Sequence, residues 1–301
     1  MKIGIPRSLL YYYDGVFWKY FFEKLNIDTI TSSKTNKEII SNGEVYADSE
    51  MCLSMKIFLG DIVDLKDKCD AILIPRLYSI KKDEQVCTNF NSMYDLVKNL
   101  FPNIKIINYN IDLYENKNEV LAYTTLGKNL GFDYITSYNA YCYAKDKEKE
   151  YLRKKINIQN KKLNNNKIKI LLAGHPYNIH DEIIGKDIIK YLKDNDIEII
   201  YSTYMYKDLI DSESNKISTD IHWSHSKKVV GAISYFQNKV DGIILISTFP
   251  CGPDSLSNEM IKRKVNKPLL IINRESYSNT GIITRLEAFI DIFKVKYERC
   301  H

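Results

Sequence analysis

Two rhythms of apolar positions alternate along the chain. Short segments at residues 2–6, 28–32, 71–74 and 104–108 predict strands, and the continuous apolar run at 71–74 has the character of a strand buried on both faces of a parallel sheet. Between them the spacing becomes helical, as in Phe17, Tyr20, Phe21 and Leu25, which are read as core. Helices are predicted over 14–25, 35–43, 92–101 and 119–130, with another inside 50–65 carrying Leu53, Ile57, Leu59 and Ile62. The alternation restarts with strands over 167–172, 197–202, 242–247 and 268–273 and helices over 183–192, 226–238, 256–263 and 282–293. A charged, helical stretch at 137–162, followed by Asn164-Asn165-Asn166, separates the two series.

This alternation predicts an α/β fold of two Rossmann-like lobes with mostly parallel sheets facing a central cleft. The expected domains are an N-terminal lobe over 1–136, a charged helical connector over 137–166 and a C-terminal lobe over 167–301. A length of 301 residues suits two such units. No repeat of fixed period is visible beyond the alternation. Walker A, G-x-G-x-x-G and H-E-x-x-H patterns are absent, so nucleotide hydrolysis and zinc proteolysis lack their signatures.

Composition narrows the picture further. With 45% hydrophobic and 27% charged residues, no apolar run approaches the roughly 18 residues of a membrane-spanning helix. The opening Met1-Lys2-Ile3-Gly4-Ile5-Pro6-Arg7 reads as a strand rather than a secretory leader, and a cytoplasmic protein is expected. The net charge of +5 is interspersed along the chain, which favours a small anionic ligand over nucleic acid. Twenty-three tyrosines, with abundant Lys, Ile and Asn, read as AT-rich coding bias more than as a tyrosine-based activity. Six irregularly spaced cysteines do not form a disulfide framework and read as intracellular thiols.

Ligands of doubly wound folds bind beyond the carboxyl ends of strands. Pro6-Arg7, Pro75-Arg76, Gly174-His175-Pro176-Tyr177-Asn178 and the run from Ser247 to Ser255 occupy such places and are expected to open on one cleft. Cys251 lies between prolines after a buried strand, before a helix that Asp254 or Ser255 could cap. A thiolate near a helix N-terminus has a lowered pKa and suits metal ligation or nucleophilic chemistry. Cys52 also precedes a helix, and Cys87 lies in the polar stretch after the third strand. Cys69, Cys142 and Cys300 fall elsewhere and read as structural or incidental thiols. Three candidate ligands suit a cluster with one open position better than a closed four-cysteine site. His222 and His225, three residues apart, form a competing zinc reading on one helical face, and His175 reads as a hydrogen-bond donor in the cleft.

Several ordered motifs carry a resemblance. Ile3-Gly4-Ile5-Pro6-Arg7, Thr35-Asn36-Lys37-Glu38, Glu50 with Cys52 and Lys56, Ile74-Pro75-Arg76 and Cys87 come first. Gly174 to Asn178 with Asp181-Glu182, Cys251-Gly252-Pro253-Asp254-Ser255 and Thr284-Arg285-Leu286-Glu287-Ala288-Phe289 follow. Over essentially its whole length the chain resembles the acyl-CoA dehydratase activase-related proteins. These are similar to the cluster-binding subunits of 2-hydroxyacyl-CoA dehydratases and benzoyl-CoA reductases of anaerobes. It departs from their pattern at Cys52-Leu53-Ser54, where Cys-Leu-Pro is common, and at Cys87-Thr88, where Cys-Pro is common. It also has Arg274-Glu275-Ser276-Tyr277 leading to Thr280-Gly281 in place of an acidic-His-Thr-Gly run.

The resemblance implies an oxygen-sensitive [4Fe-4S] cluster, or a double-cubane variant, held by Cys52, Cys87 and Cys251. Low-potential electrons would come from a separate ATP-hydrolysing activase of actin-like fold, in keeping with the missing nucleotide loop. The substrate would be acyl-CoA-like or another small molecule, and the chain would work as a homodimer or beside a second cluster-binding subunit. Arg7, Arg76, Asn178 and Ser255 are then candidate substrate contacts, and His175 and Glu182 candidate proton carriers. The residues leave other readings open: salt bridges closing the strand ends for both arginines, a helix-dipole role for Glu182, and a metal-free two-lobed small-molecule-binding module for the whole chain.

Overall fold

A computed structural model describes residues 1–278 and 281–298, which places the expectations at Thr280 and Cys300 outside the described residues. Contacts divide the chain into two units. The N-terminal unit holds Met1–Lys154 with His222–His225, and the C-terminal unit holds Lys155–Ile221 with the chain from Ser226 onward.

The N-terminal unit runs β1 (Lys2–Ile5), α1 (Tyr11–Lys24), β2 (Asp28–Thr31), α2 (Lys37–Glu44), α3 (Leu53–Leu65), β3 (Ala71–Leu73), β4 (Arg76–Ser79), α4 (Thr88–Leu100), β5 (Ile106–Ile107), β6 (Asn110–Asp112) and α5 (Glu119–Asn129). α6 (Tyr134–Leu163) is one helix of 30 residues, and the boundary between the units falls within it, after Lys154. β2, β1, β3 and β5 lie side by side in one parallel sheet. Beyond Pro75 the ladder resumes as the parallel pair β4 and β6, with Ile74 N–H donating to the Ile107 carbonyl and Arg76 N–H to that of Tyr109. Arg76 therefore continues the strand, where the sequence reading ended it. Proline removes one ladder donor but holds its neighbour in extended backbone, so the chain carries on in the same direction.

Local chemistry explains the helix starts. The side chain of Asn36 accepts from Ile39 N–H at 3.0 Å, and that of Asn118 from Leu121 N–H at 2.9 Å, so each asparagine satisfies an orphan donor of its helix. α2 and α3 cross closely at Gly60, where a Cβ would stand 1.9 Å from the Ile39 carbonyl. α1 adds an aromatic layer to the core of this unit: Phe17, Trp18, Phe21 and Phe22 are buried, and Tyr20 is half-buried at its edge.

The C-terminal unit runs β7 (Lys169–Gly174), α7 (Pro176–His180), α8 (Lys186–Asp194), β8 (Glu198–Tyr201), α9 (Ile210–Asn215), α10 (Ser224–Phe236), β9 (Gly242–Thr248), α11 (Gly252–Lys264), β10 (Leu269–Arg274) and α12 (Ile282–Glu298). Its parallel sheet has the order β10, β9, β7, β8. Counted along the chain, both four-stranded sheets have the same order, 2-1-3-4. Each thus places its first strand beside its third, the point where an open α/β sheet reverses direction and holds ligands. Among the described residues no helix is long and apolar enough to cross a membrane.

Candidate functional site

Cys52, Cys87 and Cys251 share one local setting. Each is the N-cap of a 13-residue helix, respectively α3, α4 and α11, and in none does the side chain make a capping hydrogen bond to its helix. The aligned peptide dipoles and unbonded N–H groups of a helix start favour an anion, so each sulfur stands where a thiolate is stabilised. Cys87 and Cys251 are also topologically matched. Each ends the segment that follows the third strand of its own sheet.

The start of α11 differs from the expected one. The helix begins at Gly252, with Pro253 in the first turn, and the N-cap is Cys251 itself. Asp254 and Ser255 therefore lie inside the first turn, because proline's preset φ suits that place. The Ser255 hydroxyl donates to the Cys251 carbonyl at 2.7 Å. Among the other cysteines, Cys69 donates through Sγ to the Leu65 carbonyl at 3.3 Å, and burial raises its pKa. Cys142 lies within α6. Among the described residues no group of three or more His, Cys, Asp or Glu side chains is arranged to hold a metal ion.

In the C-terminal unit the first-to-third-strand junction is tightly built. Gly174 ends β7 with φ +147°, and a Cβ there would stand 2.4 Å from the Ile246 carbonyl of β9, so only glycine allows this approach. The next residue, His175, is 4% exposed. Its Nε2 lies 2.8 Å from Asp254 Oδ1 in α11, and its ring stacks on Tyr177 with centroids 5.0 Å apart. One contact thereby ties the turn after β7 to the helix that Cys251 caps. Asn178 is fully buried in α7. Glu182 pairs with Lys186.

The same edge holds a residue that the sequence reading left without a role. Arg274, the last residue of β10, is 2% exposed and donates through Nη2 to the Ile183 carbonyl at 2.6 Å. Burial lowers its pKa, and the nearby Asp187 and Asp181 carboxylates oppose the shift. Its carbonyl accepts from Phe249 N–H at 2.8 Å, two residues before Cys251. An arginine closing an apolar run was the available signal, as at Arg7 and Arg76.

In the N-terminal unit Arg7 follows β1. Its backbone N–H donates to Ser32 Oγ at 2.8 Å, and its guanidinium lies 5.8 Å from the Tyr11 ring centroid. Arg76 pairs with Asp95 at 2.7 Å and lies over the Tyr94 ring at 4.8 Å. His222 and His225 do not share a helical face, since α10 begins at Ser224. His222 is exposed, whereas His225 is buried and stacks on Tyr13.

None of the curated proteins matches the chain. Among solved structures, the SBP FpvC of Pseudomonas aeruginosa in complex with Mn2+ is 15% identical over 99% of each chain, with a TM-score of 0.28. A Zn(II)-bound mutant variant of AdcAII of Streptococcus pneumoniae is 12% identical over 97% of each chain, also with a TM-score of 0.28. The family profile described as "CoA enzyme activase uncharacterised domain (DUF2229)" matches residues 2–205. That span is more than half of the chain, and the protein belongs to this CoA enzyme activase-related family.

Proposed function

We propose that the protein is an iron-sulfur component of an acyl-CoA dehydratase or reductase system, with Cys52, Cys87 and Cys251 as its cluster ligands. The observation that supports this reading is the common position of the three thiols at the N-termini of three helices. Sulfur donors suit an iron-sulfur centre, and a helix N-terminus favours the thiolate form that each ligand would need. Membership of the activase-related family supports a role in an acyl-CoA dehydratase system. When bound, a [4Fe-4S] cluster or its double-cubane variant supplies a low-potential electron and an iron with an open coordination position.

The chain's own residues divide the remaining work. His175, held through Nε2 by Asp254, keeps one imidazole orientation and is the proton carrier nearest in sequence to the Gly174 junction. Glu182 carries the second proton role, with Lys186 as its partner. Arg7 attracts an anionic substrate group. Arg76 contributes less, because Asp95 already neutralises it. Asn178 and Ser255 are further substrate contacts, and the Ser255 hydroxyl also donates to the Cys251 carbonyl. The electron donor is a separate ATP-hydrolysing activase, and the chain acts as a homodimer or with a second cluster-binding subunit.

Anaerobic reconstitution with iron and sulfide counting tests the reading. Bound iron and sulfide near cubane stoichiometry are expected, with most of the iron lost in Cys52→Ser, Cys87→Ser or Cys251→Ala and retained in Cys142→Ser. Iron-free wild-type protein, or iron retained in Cys251→Ala, overturns the ligand assignment. Colourless protein that compacts in scattering when a small molecule is added would show a metal-free binding module instead.

A further inference from the structure

We infer that residues 222–225 form a positioning clip for the Cys87 loop, gripping it in the N-terminal unit although the residues on either side, Ile221 and Ser226, belong to the C-terminal unit. The functional meaning of the clip rests on the reading of Cys87 as a ligand; its physical existence does not.

The backbone supplies half of the grip. Gln85 N–H donates to the His222 carbonyl at 2.9 Å, and Ser224 N–H donates to the Gln85 carbonyl at 2.8 Å, forming a parallel bridge between Gln85 and Trp223. The neighbouring Val86 N–H donates to the Tyr78 carbonyl of β4 at 3.0 Å. Two consecutive residues are thus held from different directions immediately before Cys87.

Side chains supply the other half. The His225 ring stacks on Tyr13 of α1 with centroids 4.1 Å apart and planes at 12°. It also meets the Phe90 ring edge-on, at 5.3 Å and 86°. Phe90 lies in the first turn of α4, where its N–H donates to the Cys87 carbonyl at 2.9 Å. The clip therefore holds the residue two before Cys87 and the residue three after it. α11 has no need of such a device, because Pro253 braces its first turn. α4 has Thr88 and Asn89 in the corresponding places. α10 begins inside the clip, at Ser224, and its residues from Ser226 onward belong to the C-terminal unit.

Site-resolved alkylation tests the clip on the full-length, metal-free chain, with iodoacetamide as the probe and mass spectrometry as the readout. Ser224→Pro removes the N–H that bonds Gln85 at a helix position that tolerates proline. His225→Ala removes the ring sandwich, and His225→Phe restores a ring. In the first two variants the Cys87 alkylation rate is expected to rise about tenfold, the scale of losing one or two hydrogen bonds or an aromatic contact. Cys52 and Cys251 keep their rates, and His225→Phe returns Cys87 to the wild-type rate. If Ser224→Pro does not fold, the His225→Ala and His225→Phe pair decides. An unchanged Cys87 rate, or equal rises at all three cysteines, overturns the clip. Iron counting on the wild type is a separate arm: an iron-free result overturns the cluster reading and leaves the alkylation result standing.

Discussion

The strands of the C-terminal sheet, β7, β8, β9 and β10, have six, four, seven and six residues, and every residue of β9 is buried. Those of the N-terminal sheet, β1, β2, β3 and β5, have four, four, three and two. The same 2-1-3-4 order is thus held by an aliphatic sheet in one unit and by short strands under an aromatic layer in the other. Where the ladder is short, side chains must do more of the specifying. Trp18 Nε1–H, the hydroxyls of Tyr109 and Tyr123 and the ring of Phe17 form a buried knot, with the indole 3.0 Å from each hydroxyl and Tyr123 donating to Tyr109 at 2.8 Å. Phe17 packs on Tyr123 with ring centroids 4.4 Å apart. Burial pushes both tyrosines well above their usual pKa, so the knot is neutral. Polar groups buried this way stabilise only while their partners remain, which makes the knot a more specific fastener than an apolar contact.

Trp18→Ala should therefore have the largest effect, about 4 kcal/mol lost from the N-terminal unit, through the cavity and through two hydroxyls deprived of a donor. Trp18→Phe should cost about 1–2 kcal/mol, since it keeps the ring and loses the hydrogen bonds. Urea unfolding checks both. The chain's two tryptophans, Trp18 and Trp223, both lie in the N-terminal unit, so the Trp223 fluorescence transition should move in these variants. A Phe variant as stable as the wild type would show that the aromatic layer, not the hydrogen-bonded knot, fastens the sheet.

The C-terminal unit offers the converse experiment. His180 lies beside the rings of Tyr201 and Tyr204, and burial, aided by the Lys155 charge, lowers its pKa to about 4. The unfolded chain takes up a proton near pH 6.5 while the folded chain resists until about pH 4. Stability from this group is therefore fully present above pH 6.5 and is lost as pH falls from 6.5 to 4, by on the order of 3 kcal/mol. His180→Phe should flatten that slope. The loss should be visible by circular dichroism, with the tryptophan transition unmoved. If both probes shift together, the units unfold as one cooperative block and the contrast between them is structural only.

Much of the two-sheet plan was legible because aliphatic parallel strands write themselves as unbroken apolar runs, as at 71–74 and 242–247. Strand order was not, since pairing β1 with β3 depends on contacts between distant segments. β4 and β6 were hidden because Pro75 reads as a stop and each strand holds a single aliphatic residue, Leu77 or Ile111. α4 starts earlier than its apolar spacing suggests, at Thr88, because Phe90 packs against His225 from far along the chain. That Cys52 and Cys251 stand before helices was visible from position alone; that Cys87 does was not, because α4 begins at Thr88. The contact between His175 and Asp254 was not, because no local spacing links residues on two different strand-to-helix turns. The knot was obscured in the same way, its three hydrogen-bonding members being scattered among 23 tyrosines and two tryptophans.

The smallest effect is expected at Arg76, and it separates the strand from its decoration. Arg76 bonds through its backbone to Tyr109, in the ladder that joins β4 to β6, and through its guanidinium to Asp95. Asp95 is half exposed, with 54% of its side chain open to solvent, so water screens the ion pair. The guanidinium also keeps the Tyr94 ring face whether or not the carboxylate is present. Asp95→Ala should then change stability by less than about 1 kcal/mol, and less still in high salt. Arg76→Pro removes the ladder N–H beside Pro75 and should cost more than the charge it also deletes. If Asp95→Ala were the more damaging of the two, the short N-terminal strands would be held by surface charge, and their dependence on the buried aromatic layer would have to be given up.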